Sequence, residues 1–223
     1  MGRLRRVEPG RTSRGGRRAP RPEERQRDAE RSRERILAAA VVEFGDKGYA
    51  GARVGEIAAR AGVNVQLISY YFGGKAGLYR ALTARWRLRS AELSRAGSMA
   101  EVVAGFARAS LQQRDWTRLL LWDGLTEPPA GGDGDPESGI AADGEPDFLR
   151  AAVQDLAERQ RTGELPAELE PAQLLLALFA APCAPVMLPQ IARRLGLDPT
   201  TPEFARDYAD QVGRLVELLS TVD

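Results

Sequence analysis

The side chains with the clearest chemical purpose lie between Asn64 and Phe72, where amide and phenol groups recur at helical spacing. With Ile68 at zero on a helical wheel of about 100° per residue, Phe72 lies at about 40° and Gln66 and Tyr70 point the opposite way. The outer face of this helix thus carries hydrogen-bonding groups instead of the Lys and Glu of an ordinary solvated helix. Because a glutamine amide can form two hydrogen bonds with the edge of adenine, the pattern indicates contact with bases.

The residues before this helix supply the elements that must position it. A preceding short helix is expected to have one apolar face, formed by Val54, Ile57, Ala58 and Ala61. Gly62 follows where a helix usually ends, since glycine takes the left-handed conformation without strain. Asn64 is a good N-cap, because its side-chain oxygen can accept from a free backbone N–H of the next turn. Two short helices around such a turn form the helix-turn-helix pattern of a major-groove reader.

Three motifs follow one another between Arg35 and Leu82: IL-x-A-A-x-x-x-F-x-x-x-G-Y, IA-x-x-AGV and YYF-x-x-K-x-x-LY. In combination they resemble the N-terminal domain of the tetracycline-repressor (TetR) family of bacterial regulators. The resemblance covers about 50 of the 223 residues. It implies a three-helix, helix-turn-helix DNA-binding domain followed by a larger helical domain for ligand binding and dimerisation. The rest of the chain also shows helical patterns and no convincing strand, so the expected fold is all-α.

The resemblance implies that nine residues contact DNA. Those that would face base edges and the sugar-phosphate backbone are Val65, Gln66, Leu67, Ser69 and Tyr70. The family usually contacts phosphates at the positions of Tyr70, Tyr71, Lys75 and Arg53. The remaining residue of the nine is Asn64, at the cap of the recognition helix. For Tyr71 the alternative is inward packing against the first helix. Ser69 stands where the family most often has Tyr, and Gly55 where some members have a base-reading Arg, so the operator sequence does not follow.

The charge of the chain is divided between its two halves. Residues 1–22 hold eight Arg and one Glu, and residues 23–95 hold fourteen basic and nine acidic groups. Residues 96–223 hold ten basic and twenty-one acidic groups. Positive charge on the half that contains the helix-turn-helix is the distribution expected of a DNA-binding protein with a separate second domain.

Several classes of protein are disfavoured by residues that the sequence lacks. There is no His, which removes a Ser-His-Asp triad and any His-ligated zinc site. The single Cys183 excludes an internal disulfide and fits a reducing cytoplasm. No apolar stretch is long enough to cross a membrane. We therefore expect a cytoplasmic protein that is not an enzyme and needs no metal or cofactor.

The chain divides into three predicted segments. Residues 1–27 have almost no apolar side chain and are expected to form a disordered Arg-rich arm. Three interpretations of this arm remain open: it adds affinity for DNA phosphates, it is a solvated tail, or it results from a mis-assigned start codon ahead of the real domain. Residues 28–75 form the DNA-binding domain, whose first helix runs from about Asp28 to Phe44 and is broken into a loop by Gly45, Gly48 and Gly51.

Residues 76–223 form the second, helical domain in this interpretation. Within it, residues 127–145 are acidic and loop-like, and the last helix runs from about Pro202 to Ser220. Residues 171–181 are apolar nearly all round, which predicts burial on more than one side. After them, three prolines are expected to kink or interrupt the chain: Pro182, Pro185 and Pro189.

By resemblance, the second domain would hold a small-molecule pocket and a dimer surface. Candidate pocket residues, each of which could equally be ordinary core, are Trp86, Phe106, Trp116, Leu120, Trp122, Phe148, Phe179 and Met187. Candidate dimer residues on two helices, expected to pair in antiparallel fashion, are Leu174, Leu175, Leu178, Phe179, Tyr208, Val212, Leu215, Val216 and Leu219.

We interpret the chain as a sequence-specific DNA-binding transcriptional regulator. We expect a homodimeric repressor that a small-molecule effector releases from a near-palindromic operator in double-stranded DNA. The alternative is a sequence-tolerant architectural protein that binds DNA through its Arg-rich arm. The acidic second domain argues against this alternative, because its charge would repel the phosphates.

Overall fold

A computed structural model describes residues 22–95, 97–126 and 147–219 of the protein. In these ranges all regular structure is helical, which confirms the all-α prediction. The helices within the described ranges are α1 (Pro22–Gly51), α2 (Val54–Ala61), α3 (Val65–Phe72), α4 (Lys75–Ser94), α5 (Met99–Gln112), α6 (Arg114–Thr126), α7 (Asp147–Arg161), α8 (Pro171–Met187), α9 (Pro189–Arg194) and α10 (Pro202–Leu219). Most of the predicted arm and the predicted loop at 127–145 lie outside the described residues.

The N-terminal core joins the first four helices to α6. Ile36 and Phe44 of α1, Ile57 of α2 and Ile68 of α3 are all fully buried. The same cluster also contains residues from later elements, namely Leu78, Tyr79 and Leu82 of α4 and Trp116 and Leu119 of α6. This core therefore extends past residue 75, the predicted end of the DNA-binding domain.

Helix α1 is longer than the sequence suggests at both ends. It begins at Pro22, so residues 22–27, which were assigned to the disordered arm, are helical. It also continues to Gly51, with non-helical angles only at Gly48 (φ 67°, ψ 175°). Gly45 is helical, and its lack of a side chain lets α6 pass close by: a Cβ at this position would lie 2.3 Å from the carbonyl oxygen of Asp115. The chain therefore leaves helical geometry at one of the three glycines predicted to form a loop, Gly48, and the prediction is wrong for Gly45 and Gly51, which are helical.

A second core lies in the C-terminal part of the chain. It includes Met99 and Val103 of α5, Leu156 of α7, Leu174 of α8 and Val216 of α10. Helix α5 packs against both α8 and α10, whereas α8 and α10 touch each other only slightly. Each of the two helices therefore packs mainly on α5, and the direct contact between α8 and the final helix, which were predicted to pair, is small.

Helix α8 continues through two of the three prolines that were expected to disturb it. Pro182 and Pro185 lie inside the helix, and only Pro189 marks an interruption, at the start of α9. Because proline has no N–H, Pro185 cannot donate to the carbonyl of Ala181, four residues earlier. The hydroxyl of Tyr208 in α10 donates to that carbonyl at 2.8 Å. A side chain from another helix thus replaces the missing hydrogen bond.

Helix α8 also leaves an apolar face uncovered in the single chain. Among residues 171–181 only Leu174 is buried, while Leu176 is 71% exposed and Phe179 is also exposed. The prediction that this segment is buried on more than one side is therefore wrong for one chain.

None of the helices in the described ranges is both long and apolar enough to span a membrane.

Candidate DNA-binding face and internal cavity

The geometry of the helix-turn-helix follows the local sequence signals. Gly62 takes the left-handed conformation at φ 63° and ends α2. The backbone of Asn64 is extended, and its Oδ1 accepts from the backbone N–H of Gln66 at 2.9 Å, which confirms its role as N-cap of α3. Gly73, at φ 73°, ends α3. Two short helices are thereby held around one turn, with Ile68 as the buried anchor of α3.

The start of α2 is held by a buried carboxylate from α1. Arg53, at the N-cap position of α2, forms no hydrogen bond from its side chain to the helix start. Glu43, only 1% exposed, instead accepts from the backbone N–H of Arg53 at 3.3 Å and from Lys47 Nζ at 2.7 Å. Burial raises the pKa of the Glu43 carboxyl, but these hydrogen bonds together with the positive charges of Lys47 and Arg60 lower it by more, so its pKa lies below the usual value.

Glu43 is not among the residues that the sequence interpretation singles out. A signal is nevertheless present, because Glu43 follows Ile36 by seven residues and Ala40 by three. That spacing places a carboxylate on the apolar face of α1, where a buried charge needs partners.

The outer face of α3 carries most of the residues predicted to meet bases. Gln66 and Ser69 are exposed, Val65 is exposed, and Tyr70 is 80% exposed. Leu67 differs from these, since it is half-buried and packs against the N-terminal core. The exposed face therefore presents an amide, a hydroxyl and a phenol, and no charged group of α3 itself.

The residues predicted to contact phosphates differ in how freely they are exposed. Tyr71 is half-buried between its neighbours, with ring centroids 5.1 Å from Tyr70 and 6.4 Å from Phe72. The guanidinium of Arg33, in α1, lies 5.8 Å from the Tyr71 ring centroid. Tyr71 therefore combines packing with partial exposure. Arg33 and Arg53 are exposed cations near this face, and Arg33 was not among the predicted contacts.

Lys75 has a structural role besides any contact with DNA. Its Nζ donates to the carbonyl of Ala50 at 3.2 Å and lies 4.8 Å from the ring centroid of Tyr49. Partial burial lowers the pKa of the Lys75 ammonium. The side chain thus ties the start of α4 to the end of α1. An ammonium has three donors, so two N–H groups of Lys75 are left for other partners.

A cavity of about 310 Å³ lies among α4, α5, α6, α7 and α8. Six of the eight predicted pocket residues line it: Trp86, Phe106, Trp116, Leu120, Phe148 and Phe179. The other two do not. The indole of Trp122 instead donates to the carbonyl of Gly45 in α1 at 3.2 Å, and Met187 is exposed at the end of α8. The volume falls at the lower end of the range for ligand pockets, about 300–1,000 Å³.

Helix α6 contacts both this cavity and the DNA-binding unit. Trp116 lines the cavity and stacks on Trp86 of α4, with centroids 5.1 Å apart. Towards the C-terminal end of α6, Asp123 Oδ1 accepts from the hydroxyl of the buried Tyr79 at 2.6 Å. Burial, together with this hydrogen bond, raises the pKa of Tyr79. Arg118 forms an ion pair with Asp46 of α1 at 2.8 Å. One helix therefore links the cavity wall to α1 and α4.

The residues predicted for the dimer surface divide into buried and exposed groups. Leu174, Val212 and Val216 are buried in the chain's own core, which leaves them little surface to offer a partner. Others are half-buried, namely Leu175, Leu178, Tyr208 and Leu219. Phe179 and Leu215 are exposed, as are two leucines outside the predicted set, Leu176 and Leu218. Apolar spacing alone does not separate a core residue from one that faces a partner.

Comparisons with known proteins agree with this geometry. The sequence profile of the family "Bacterial regulatory proteins, tetR family" matches residues 36–82. The HTH-type transcriptional repressor SCO4008 of Streptomyces coelicolor is 33% identical over 175 residues, which cover 76% of this chain and 85% of the relative. The probable HTH-type transcriptional regulator YttP of Bacillus subtilis is 46% identical over 55 residues, 25% of this chain and 27% of the relative.

A solved structure supports the same fold over most of the chain. The crystal structure of the putative transcriptional regulator SCO4942 from Streptomyces coelicolor matches with a TM-score of 0.64 and 23% identity. The match covers 82% of this chain and 97% of that one, so the helical domain is shared as well as the helix-turn-helix. Taken with the similarity to SCO4008, these findings show that the chain belongs to the TetR family of bacterial regulators and is a DNA-binding transcriptional regulator.

Proposed function

We propose that the protein is a sequence-specific repressor that binds a near-palindromic operator as a homodimer and leaves it when a small molecule occupies the cavity. The observation that carries the proposal is the exposed face of α3, where Gln66, Ser69 and Tyr70 stand on a capped helix backed by a buried core. Repression is supported by the relative SCO4008, which is a transcriptional repressor.

Base reading and phosphate binding are assigned to different side chains. Gln66, and the apolar Val65 and Leu67 beside it, would contact base edges, the amide by pairing with adenine and the apolar groups with thymine methyls. Arg53, Tyr70, Tyr71 and Lys75 would contact phosphates, which position the helix without reading sequence. Arg33 joins this group in our proposal because it is exposed beside Tyr71. The DNA-binding unit then comprises α1 to α3 and the first half of α4.

The dimer is expected to form through the uncovered faces of α8 and α10. One recognition helix covers only a few base pairs, so two must lie about 34–36 Å apart, or a multiple of this, on a palindromic site. Leu176 and Phe179 on α8 and Leu215 and Leu218 on α10 are exposed apolar residues that such an interface would cover. Leu176→Glu combined with Leu215→Glu should give folded monomers in sedimentation experiments. A wild-type chain that is monomeric at micromolar concentration would contradict the dimer.

Release from DNA is assigned to the contacts of α6. A ligand that contacts Trp116 would displace α6. Near its other end, α6 forms two hydrogen bonds with the helices behind α3. Trp122 bonds to Gly45 of α1, and Asp123 bonds to Tyr79 of α4. Since α1 and α4 form the core behind α3, a shift of α6 would change the spacing of the two recognition helices in the dimer. The effector would thus act by favouring a spacing that the operator does not fit.

Two variants test binding to DNA, one at a residue proposed to read bases and one at a residue proposed to contact phosphates. Fragments bound from the source genome are first selected to find the operator. Gln66→Ala should then cost roughly 1–3 kcal/mol on that operator and little on other DNA. Arg53→Ala should weaken all sequences alike and reduce the salt dependence by about one phosphate. Gln112→Ala, which removes an exposed amide from α5, is the control and should change neither.

The same measurements separate the proposal from its alternative. If Gln66→Ala and Arg53→Ala lose equal affinity on every sequence, α3 does not read bases. Selection that yields no preferred fragment, together with steep salt dependence on random DNA, would support the sequence-tolerant architectural protein instead.

A further inference from the structure

The wall of the cavity offers few polar groups to a bound molecule. The hydroxyl of Ser94 donates to the Ser90 carbonyl at 2.9 Å, and that of Thr117 donates to the Ser110 carbonyl at 3.1 Å. The hydrogens of these two hydroxyls are therefore already used within the protein. Ser90 is only 2% exposed, so its own side chain presents almost no surface. A molecule in the cavity must be held chiefly by the burial of apolar surface.

Asp155 is the one charged residue among the described residues that line the cavity. Its side chain is 50% exposed, so small molecules can reach it. The residues of α7 that line the cavity are Phe148, Leu149, Ala151, Ala152, Asp155 and Leu156. On a helical wheel of about 100° per residue they span an arc of about 160°, and Asp155 lies about 40° from its centre. Asp155 therefore stands on the face of α7 that is turned towards the cavity.

The charge of Asp155 is only partly balanced by its neighbour Arg159. The Nε of Arg159 donates to Asp155 Oδ2 at 2.8 Å, and its Nη1 donates to the two carboxylate oxygens of Glu164 at 3.0 and 2.8 Å. One guanidinium between two carboxylates leaves one negative charge in this group uncompensated. Arg159 Nη1 also donates to the carbonyl of Gly97 at 3.2 Å, so the guanidinium keeps partners when Asp155 turns to another cation.

The remaining wall favours a cation over an anion. Five aromatic side chains line the cavity, namely Trp86, Phe106, Trp116, Phe148 and Phe179. The faces of such rings attract positive charge. No Lys or Arg is among the described lining residues, so a carboxylate ligand would lose its hydration without gaining a counter-charge.

The volume of the cavity limits the size of the ligand. A cavity of about 150 Å³ accommodates benzene. The volume here is about 310 Å³, which suits a molecule of two rings. The stacked rings of Trp86 and Trp116, with centroids 5.1 Å apart, form part of the wall and suit a flat partner.

We propose that the effector is a flat hydrophobic cation of about two rings, whose apolar body lies among the aromatic side chains and whose positive group lies beside Asp155. This inference rests on the proposed function in one respect, since it takes the cavity as the effector site. The charge preference itself is tested without DNA.

Three bicyclic probes of similar size test the proposal on the full chain by calorimetry. N-methylquinolinium is a permanent cation, quinoline is uncharged at neutral pH, and 2-naphthoate is an anion. N-methylquinolinium should bind at least about 2-fold more tightly than quinoline, and 2-naphthoate should be the weakest of the three. Added salt should weaken binding of the cation and leave quinoline unaffected, because salt screens the charge of Asp155.

Two variants with the same change in charge separate Asp155 from the general charge of the protein. Asp155→Asn keeps the size of the side chain and an oxygen that can accept from Arg159. It should weaken N-methylquinolinium by about 2- to 5-fold, leave quinoline unchanged and strengthen 2-naphthoate. Glu158→Gln is the control, since Glu158 is exposed on the same helix, pairs with Arg161 and does not line the cavity. This control should leave all three affinities unchanged.

Unchanged quinoline affinity in Asp155→Asn shows that the cavity is intact. If this variant fails to fold, the salt dependence of the wild type decides the matter. A cation affinity that does not respond to salt would then overturn the proposal.

Several other results would overturn the assignment of ligand charge. These are quinoline or 2-naphthoate binding as tightly as N-methylquinolinium, no binding of any probe up to its solubility limit, a cation preference that survives Asp155→Asn, or an equal loss in Glu158→Gln. The effector role is measured separately, as the loss of operator complex on saturation with N-methylquinolinium. If the charge preference holds but the operator complex persists, release by ligand fails while the assignment of ligand charge stands.

Discussion

Replacing Glu43 by Gln tests whether a buried charge holds the start of α2 and hence the helix-turn-helix. The change keeps the size of the side chain and an oxygen that can still accept from the Arg53 N–H. It removes the negative charge that Lys47 Nζ meets at 2.7 Å. The comparison therefore isolates the contribution of charge from that of shape.

The expected loss follows from the two hydrogen bonds. A hydrogen bond to a charged group contributes about 1.5–3 kcal/mol. Lys47 is about half-exposed, so solvent screening weakens its contribution to the stability. The glutamine amide of the variant also keeps part of the hydrogen bond to the Arg53 N–H. We expect Glu43→Gln to lower the free energy of unfolding by about 1–2 kcal/mol at neutral pH. For a chain of this size that corresponds to a fall in Tm of about 2–8 °C.

The loss should depend on pH with a definite sign. The pKa of Glu43 is lower in the folded than in the unfolded protein, so folding favours the ionised carboxylate. Its contribution to stability is fully present above the unfolded pKa of about 4.3 and disappears as the pH falls through the folded pKa. The wild type and Glu43→Gln should therefore converge in stability under acidic conditions.

The assay is urea unfolding of the wild type and of Glu43→Gln at a series of pH values from neutral to acidic. Glu34→Gln is the control, since Glu34 also lies on α1 and pairs with Arg85, but both side chains are exposed. This control should change stability by less than about 1 kcal/mol. A gap between wild type and Glu43→Gln that stays constant down to acid pH, or one no larger than that of Glu34→Gln, would refute the reasoning.

Three further predictions concern the cap, the thiol and the link from α6. Asn64→Ala should cost about 1 kcal/mol of stability and weaken operator binding, because α3 loses its N-cap; unchanged urea midpoints would argue against this. Burial raises the pKa of Cys183, outweighing the hydrogen bond with Ser110, so iodoacetamide should modify it far more slowly in the folded than in the urea-unfolded protein, as judged by mass spectrometry. Tyr79→Phe should lower stability by about 1.5–3 kcal/mol and reduce the effect of ligand on the operator complex, since it breaks the bond to Asp123; full ligand response would contradict that link.

Local signals were enough to predict α3 and its surroundings. The left-handed Gly62, the cap at Asn64 and the outward direction of Gln66 and Tyr70 each depend on residues within one or two helical turns. Such features are set by backbone geometry and by hydrogen bonds between near neighbours. They therefore follow from the sequence before any tertiary contact is known.

Features that depend on distant residues could not be predicted in the same way. Gly45 resembles a helix breaker in the sequence, but its small size serves the close approach of Asp115 in another helix. Val212 and Leu215 both fit an apolar stripe, yet only the first is buried in the chain's own core. Periodicity identifies the apolar face of a helix, whereas the identity of its partner depends on the tertiary arrangement.

The bond between Tyr208 and Ala181 makes two positions on different helices depend on each other. Tyr208→Phe alone should leave the Ala181 carbonyl without its partner, whereas in a chain that already carries Pro185→Ala the restored N–H can take that place. The two substitutions should therefore be non-additive, with a coupling of about 1 kcal/mol in a double-mutant cycle. The order of mutation then matters in evolution: a lineage that first replaces Pro185 becomes free to lose the tyrosine hydroxyl, whereas the reverse order passes through a less stable intermediate.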